Sequence, residues 1–249
     1  MAAFASVLTT SALRVASLDL CADEYLLAVA QDREIAAVSR LAQDPAEFAS
    51  AARARRFPAY RGRIETLIPH KPDLLVTVGG PGGRSTAALA AKLGWRILTL
   101  PYPQSPADVA ANLDRMARAL GHPGRTHAWK SRLAAVERAV PPARDAIFLG
   151  GGGLSVSPDG LSAQWMRLAG LRQRAVPGGR VTLEGLASRP PAVLLRSDYR
   201  SGQLSLGQRW LSHPLVRSTP ARMVRTDGRA WTCGGPMMLA EIERLRSVR

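Results

Sequence analysis

The segment Ile64-Glu65-Thr66-Leu67-Ile68-Pro69-His70-Lys71-Pro72-Asp73-Leu74-Leu75-Val76 has a counterpart in Leu183-Glu184-Gly185-Leu186-Ala187-Ser188-Arg189-Pro190-Pro191-Ala192-Val193-Leu194-Leu195. Aligned on the two glutamates, each copy has an aliphatic residue, Glu, a short amphipathic turn of helix, a proline seven positions after the Glu, and an apolar triplet. Proline cannot sit in a helix interior and pushes its predecessor out of the α region. A short apolar run bounded by turn signals reads as an interior strand of a parallel sheet. Each copy is therefore a short helix, a stop and a buried strand, and the repeat predicts two similar lobes.

Around the first copy, strands are expected at Val15 to Leu18, Ile35 to Ser39, Leu74 to Val78 and Arg96 to Leu100. Asp19 to Asp23 turns into a helix carrying Glu24 to Val29, where an acidic residue at the helix start satisfies free amides and suits the dipole. Residues 40 to 63 are polar, basic and broken by Pro45, Pro58 and Gly62, and read as a loop with one short helix. An Ala-rich helix runs to Leu93 before Gly94, a C-cap signal. A helix from Ser105 to Leu120 follows, with Pro106 at a first-turn position. The next helix, from Pro123 to Val140, is stopped by Pro141-Pro142 and reads as a stiff connector.

Beyond it the alternation resumes: strand Ala146 to Leu149, helix Ser162 to Ala169, the second Glu motif, strand Ala192 to Leu195, helix Leu204 to Leu211, strand Ala221 to Arg225 and a terminal helix from Met237. Alternating β and α elements of these lengths specify parallel sheets flanked by helices. The fold class is α/β, with two Rossmann-like lobes: residues 14 to 121, a linker helix within 122 to 143, and residues 144 to 249.

With 249 residues, each lobe is long enough for its own core. The net charge is +15, and only Lys71, Lys92 and Lys130 among the basic residues are not Arg. These arginines are scattered rather than gathered on one face or interleaved with aromatics, which argues against nucleic acid and for a field that attracts anionic ligands. Gly79-Gly80-Pro81-Gly82-Gly83 and Gly150 to Gly153 follow strands but lack the Lys-Ser/Thr of a P-loop and the spacing of a dinucleotide fingerprint. His70, His122, His127 and His213 have no ligand-like spacing, and no Gly-x-Ser-x-Gly elbow is present. The pattern points to binding rather than catalysis, with no metal site and no cofactor.

Residues 2 to 13 are small or apolar and uncharged, like the tail of an export signal with cleavage after Ala12, although the positive n-region is missing. No later stretch reaches the ~18 apolar residues of a membrane span.

The opening strand into Ser17-Leu18-Asp19, the paired Glu-to-Pro motifs, a single helix between two α/β lobes and Gly234-Gly235-Pro236 before the last helix together resemble one family. It is that of the substrate-binding proteins of ABC importers for metal chelates: ferric siderophores, haem and cobalamin. The resemblance implies a periplasmic monomer whose partners are a small-molecule metal chelate and the permease subunits of the inner membrane. It further implies that Glu65 and Glu184, matching the glutamates at the tips of the lobes, dock onto permease arginines. The other reading of these glutamates is helix N-terminal acids placed for the macrodipole. The alternatives for function are an intracellular Arg-rich α/β protein binding an anionic macromolecule, and a two-lobed α/β oxidoreductase.

In open parallel sheets ligands sit beyond the carboxyl ends of the strands, so two such loop sets would face each other across a cleft. The candidate ligand residues are Asp19, Cys21, Arg40, Tyr60, Arg61, Gly80, Arg84 and Tyr102 from the first lobe, and Gly152, Asp198, Tyr199, Trp231 and Cys233 from the second. Tyr and Trp offer flat apolar faces for a chelate, and Arg a fork for its anionic oxygens. The low aromatic content, 5%, leans toward an iron siderophore over a corrinoid. A bridge between Cys21 and Cys233 would pin the lobes, so two free thiols are expected. The competing reading is that an exported protein oxidises such a pair into a staple near the hinge.

Overall fold

The computed structural model describes residues 13–200 and 202–248. The leader reading covers residues up to 13, of which 1–12 lie outside those described. In chain order the strands are β1 (Val15–Ser17), β2 (Ile35–Ser39), β3 (Ala59–Tyr60), β4 (Leu74–Val78), β5 (Arg96–Leu100), β6 (Arg144–Leu149), β7 (Leu171–Gln173), β8 (Val193–Ser197) and β9 (Arg222–Thr226). The helices are α1 (Leu20–Val29), α2 (Ala51–Ala54), α3 (Arg84–Lys92), α4 (Pro106–Ala119), α5 (His127–Arg138), α6 (Leu161–Leu168), α7 (Leu183–Ser188), α8 (Leu206–Leu211), α9 (Pro214–Arg217), α10 (Gly228–Cys233) and α11 (Met238–Ser247).

The strands form two parallel sheets, ordered β3-β2-β1-β4-β5 and β7-β6-β8-β9. The two apolar triplets of the repeat become β4 and β8, both interior strands. Leu74 to Val78 are all buried, as a strand covered on both faces requires. The stretches leading into them differ. The second forms the α-helix α7, capped by Thr182 through the Gly185 amide. The first, Ile64–His70, winds as a 3-10 helix with Pro69 inside it, ending at Lys71 in the left-handed region. Proline has no amide to donate and its ring clashes with the preceding turn, so the segment does not run on as an α-helix.

One hydrophobic core runs through both lobes. Leu26, Val76 and Met116 of the first lobe, Leu133 and Val136 of α5, and Phe148, Trp165 and Ile242 of the second belong to a single buried cluster. Two smaller cores cover the opposite faces: Leu67 and Leu75 on the first sheet, Leu186 and Leu194 on the second. Helix α5 is tied to both lobes. At its entry the buried Glu34 meets His122 Nε2 at 2.6 Å and Arg125 Nη1 at 2.9 Å. Burial opposes ionisation of Glu34, but the Gln31 amide, His122 and Arg125 outweigh it and hold the carboxyl below its ordinary range. On the other side Trp129 Nε1 donates to Pro236 O at 3.0 Å, and Arg132 forks onto Glu243. A connector anchored at this many points transmits small rigid-body motions and resists large ones.

Candidate functional site

The lobes meet at three levels. At the floor, the N-terminal half of α1 packs on the segment that follows α10. Asp19 caps α1 through the Ala22 amide at 2.8 Å and reaches across its own sheet to Thr77 Oγ1 at 2.9 Å and Val78 N at 3.0 Å. Glu24, almost fully buried, accepts from Met237 N at 3.2 Å. Gly235 makes this approach possible, since a Cβ there would lie 2.6 Å from Glu24 Oε2. Burial raises the Glu24 carboxyl to about 8 and that of its neighbour Asp23, which faces the Ser39 amide, to about 7. A protonated carboxyl here spares the interior an unpaired charge.

Cys21 and Cys233 form a disulfide in this floor, their Cα atoms 5.3 Å apart. This overturns the expectation of free thiols. That expectation placed both cysteines at the cleft mouth, where a bridge would obstruct opening. Instead Cys21 lies one residue inside α1 and Cys233 at the end of α10, where the floor already holds the lobes together.

At one end of the interface Gln164 Nε2 donates to Gln104 O at 2.7 Å. At the other, Tyr199 and Arg200 of the second lobe both engage Glu47 of the first, and Arg229 Nη1 donates to Pro45 O at 2.8 Å. Beside this last contact is a cavity of about 510 Å³, lined by Pro45 and Ala46 from the first lobe and by Asp198, Arg200, Arg225 and Arg229 from the second.

The candidate residues fall into two groups. Several hold the frame together. Tyr60 is buried with Ile64 and Leu67 on the far face of the first sheet, because β3 pairs with β2 and turns its ring inward. Trp231 donates to Thr226 Oγ1 at 2.7 Å and packs on Phe148 with ring centres 5.1 Å apart. With Asp19, Cys21 and Cys233, these residues each have internal partners. Asp198 is engaged by Arg225 Nε at 2.6 Å, with Arg196 Nε at 3.7 Å, and its Oδ1 is buried without a hydrogen bond.

The others stay on loops beyond the strand ends. Arg40, Arg61 and Arg84 are exposed, Gly80 accepts from Thr77 Oγ1 at 2.5 Å, and Gly152 accepts from Arg180. Tyr102 is 67% exposed, its ring lying on Gly79, where a side chain would collide with it. Sequence reasoning missed the aliphatic members of these loops. Leu41 after β2, Leu154 after β6 and Leu204 and Leu206 after β8 are exposed, Leu204 completely. Their one sequence signal is position: a leucine next to a strand end or beside a cap residue such as Ser205 is not held by helix periodicity.

Glu65 and Glu184 are both exposed in the first turns of their helices. Among the described residues no three His, Cys, Asp or Glu side chains gather as a metal site, and no helix is long and apolar enough to cross a membrane.

No protein-family model matches the sequence, and no curated protein matches it. Solved structures do match the fold. The periplasmic heme-binding protein RhuT from Roseiflexus sp. RS-1, in apo form, superposes with a TM-score of 0.72 at 20% identity, covering 95% of this chain and 97% of that one. The periplasmic heme-binding protein HutB of Vibrio cholerae gives 0.72 at 17% identity, over 96% and 99%. The periplasmic vitamin B12 binding protein BtuF of Vibrio cholerae gives 0.65 at 16%, over 95% and 96%. The chain therefore has the two-lobed fold of these periplasmic binding proteins, with the two lobes its repeat implied.

Proposed function

We propose that this chain is the periplasmic substrate-binding component of an ABC importer, and that its cargo is a flat, carboxylate-bearing metal chelate of the haem type held between the lobes. The observation that carries the proposal is the set of large apolar side chains left in water beyond the strand ends: Leu41 and Tyr102 on one lobe, Leu154, Leu204 and Leu206 on the other. Exposed apolar surface facing a cleft marks a site that an apolar partner covers. The exposed Arg40, Arg61 and Arg84 lie on the same class of loop and suit the carboxylates of such a ligand. Arginine outnumbers acidic residues by more than two to one between residues 144 and 249, and far less between 14 and 121, so the second lobe supplies most of the attractive field.

This reading departs from the lean toward a siderophore, which rested on low aromatic content and on arginines that suit an anionic iron chelate. Aliphatic side chains cover a macrocycle face as well as aromatic ones do. The names of the fold neighbours, heme-binding for two and vitamin B12 binding for the third, support the chelate class.

In the proposed cycle the ligand closes the cleft by a small rotation about the floor, and Glu65 and Glu184 present the closed form to permease arginines. Ile68, exposed three residues after Glu65, adds an apolar contact beside the carboxylate. The test is a titration of the purified protein with haem, cobalamin and a ferric siderophore, followed by tryptophan fluorescence. Saturable one-to-one binding of haem, at least about tenfold tighter than cobalamin, is expected, a difference of about 1.4 kcal/mol. Saturation by the siderophore alone would move the ligand class, and saturation by none would sink the chelate reading.

A further inference from the structure

We propose that Tyr199 and Arg200 form a carboxylate receptor on the second lobe, and that Glu47 of the first lobe fills it as an internal stand-in when no ligand is bound. The inference rests on the reading of the inter-lobe space as the ligand site. The contact is built rather than incidental. Glu47 sits at the end of a turn fixed by its own amide to Asp44 O at 3.0 Å and by Ala46 N to Asp44 Oδ1 at 2.8 Å. The residue is only 4% exposed, so its charge has left water. The carboxylate divides its oxygens, Oε2 accepting from the Tyr199 hydroxyl and Oε1 pairing with the Arg200 guanidinium. Among the described residues this is the one ion pair that joins the two lobes without passing through α5.

The receptor side is shaped independently of Glu47. Gln208 Nε2 donates to Tyr199 O at 2.8 Å, and the Arg200 guanidinium carbon lies 5.4 Å from the Tyr199 ring centre. Arg200 adopts φ +50, a left-handed conformation that a non-glycine residue holds only when its surroundings enforce it. A phenol and a guanidinium converging on one point recognise a carboxylate by charge-assisted hydrogen bonds. Any ligand carboxylate of the same shape can make both bonds once Glu47 withdraws.

Glu47 then has two consequences. It holds the empty lobes together at one end, and it competes with the ligand for the receptor, which lowers apparent affinity by the fraction of molecules in which the site is already occupied. A ligand without a carboxylate cannot replace what it displaces, so the clasp selects for anionic cargo.

The experiment needs no chelate. Amide hydrogen exchange is measured on the wild-type protein, Glu47→Gln, Glu47→Ala and Arg200→Gln. Loss of the clasp is expected to speed exchange about tenfold or more at Glu47 and Phe48 on one lobe and at Tyr199, Arg200 and Gly202 on the other. Unchanged rates on either lobe would overturn the clasp. Sodium acetate is then compared with sodium chloride at equal ionic strength. Acetate is expected to restore protection at Tyr199 and Arg200 in Glu47→Ala, by occupying the emptied receptor, and not in Arg200→Gln, where the receptor is gone. Acetate acting no better than chloride in Glu47→Ala, or equally well in both variants, would overturn the receptor. Should Glu47→Ala not fold, Glu47→Gly is read in its place by the same criteria. Failure of haem to bind would count against the proposed function and leave these readouts intact.

Discussion

Breaking the Cys21–Cys233 bridge removes a cross-link between residues 212 positions apart. The cost falls on the unfolded side of the equilibrium. A closed loop of that length restricts the denatured chain by about 5 kcal/mol at 25 °C in the chain-entropy treatment. On the folded side little is lost, because the same floor is held by Glu24 with Met237 and by the core that runs through both lobes. The reduced protein, or Cys21→Ser/Cys233→Ser, should therefore keep its fold and lose about 3–5 kcal/mol of stability. For a chain of this size that corresponds to a melting temperature lower by about 6–20 °C. Equilibrium urea unfolding followed by tryptophan fluorescence measures it, with and without a reductant that does not absorb. Oxidised and reduced curves that coincide within about 0.5 kcal/mol would refute the reasoning, since a bridge closing so long a loop cannot be neutral in the denatured state. Titration of two thiols in the unreduced, unfolded protein would restore the expectation that the structure overturned.

The buried acids give a pH dependence of fixed sign. Asp23 and Glu24 bind protons more tightly folded than unfolded, so they favour the folded state fully below about pH 4, and that contribution fades as pH rises toward 7 and 8. Unfolding free energy should fall across that range, by up to about 1.4 kcal/mol per pH unit for each group, with the melting temperature following it, and Glu24→Gln should flatten the slope. Below pH 4 the order reverses, because Glu34, Asp114 and Asp227 hold their charge more readily folded than unfolded, and stability falls as they are protonated. Gly235→Ala should cost about 1–3 kcal/mol by driving a methyl group into Glu24, and Glu24→Ala in the same chain should recover part of it in urea unfolding. Joint charge reversal, Glu65→Arg with Glu184→Arg, should abolish permease-stimulated uptake in reconstituted vesicles and leave chelate affinity within about twofold, since both side chains are exposed in the first turns of their helices.

The fold was legible because parallel sheets announce themselves: apolar runs such as Leu74 to Val78 alternate with helices of regular length, and the Glu-to-Pro repeat marks the two lobes. The misses have local causes. Strand β3 has two residues and sits in an arginine-rich stretch, and β7 follows Gly170 with an exposed Arg172 in its centre, so neither carries a strand pattern. Helix α10 contains Trp231 and Thr232, which favour extended backbone, and is started by the Asp227 cap rather than by propensity.

The site was legible only as a set of loops. Whether a loop residue serves ligand or frame depends on partners far along the chain: Asp19 is used by Thr77 and Val78, and Tyr199 by Glu47. No local pattern carries that information. The exposed leucines were hidden for the opposite reason, since a leucine beside a strand end reads as core until a structure leaves it uncovered.

The most direct measurement of ligand capture between the lobes is a crystal structure of the protein grown with haem, with diffraction recorded at the iron absorption edge. A single anomalous peak is expected between the loops bearing Leu41 and Tyr102 and those bearing Leu154 and Leu204, with a ligand carboxylate at Tyr199 and Arg200. An iron peak outside that space, or haem bound only on the outer surface of one lobe, would contradict it.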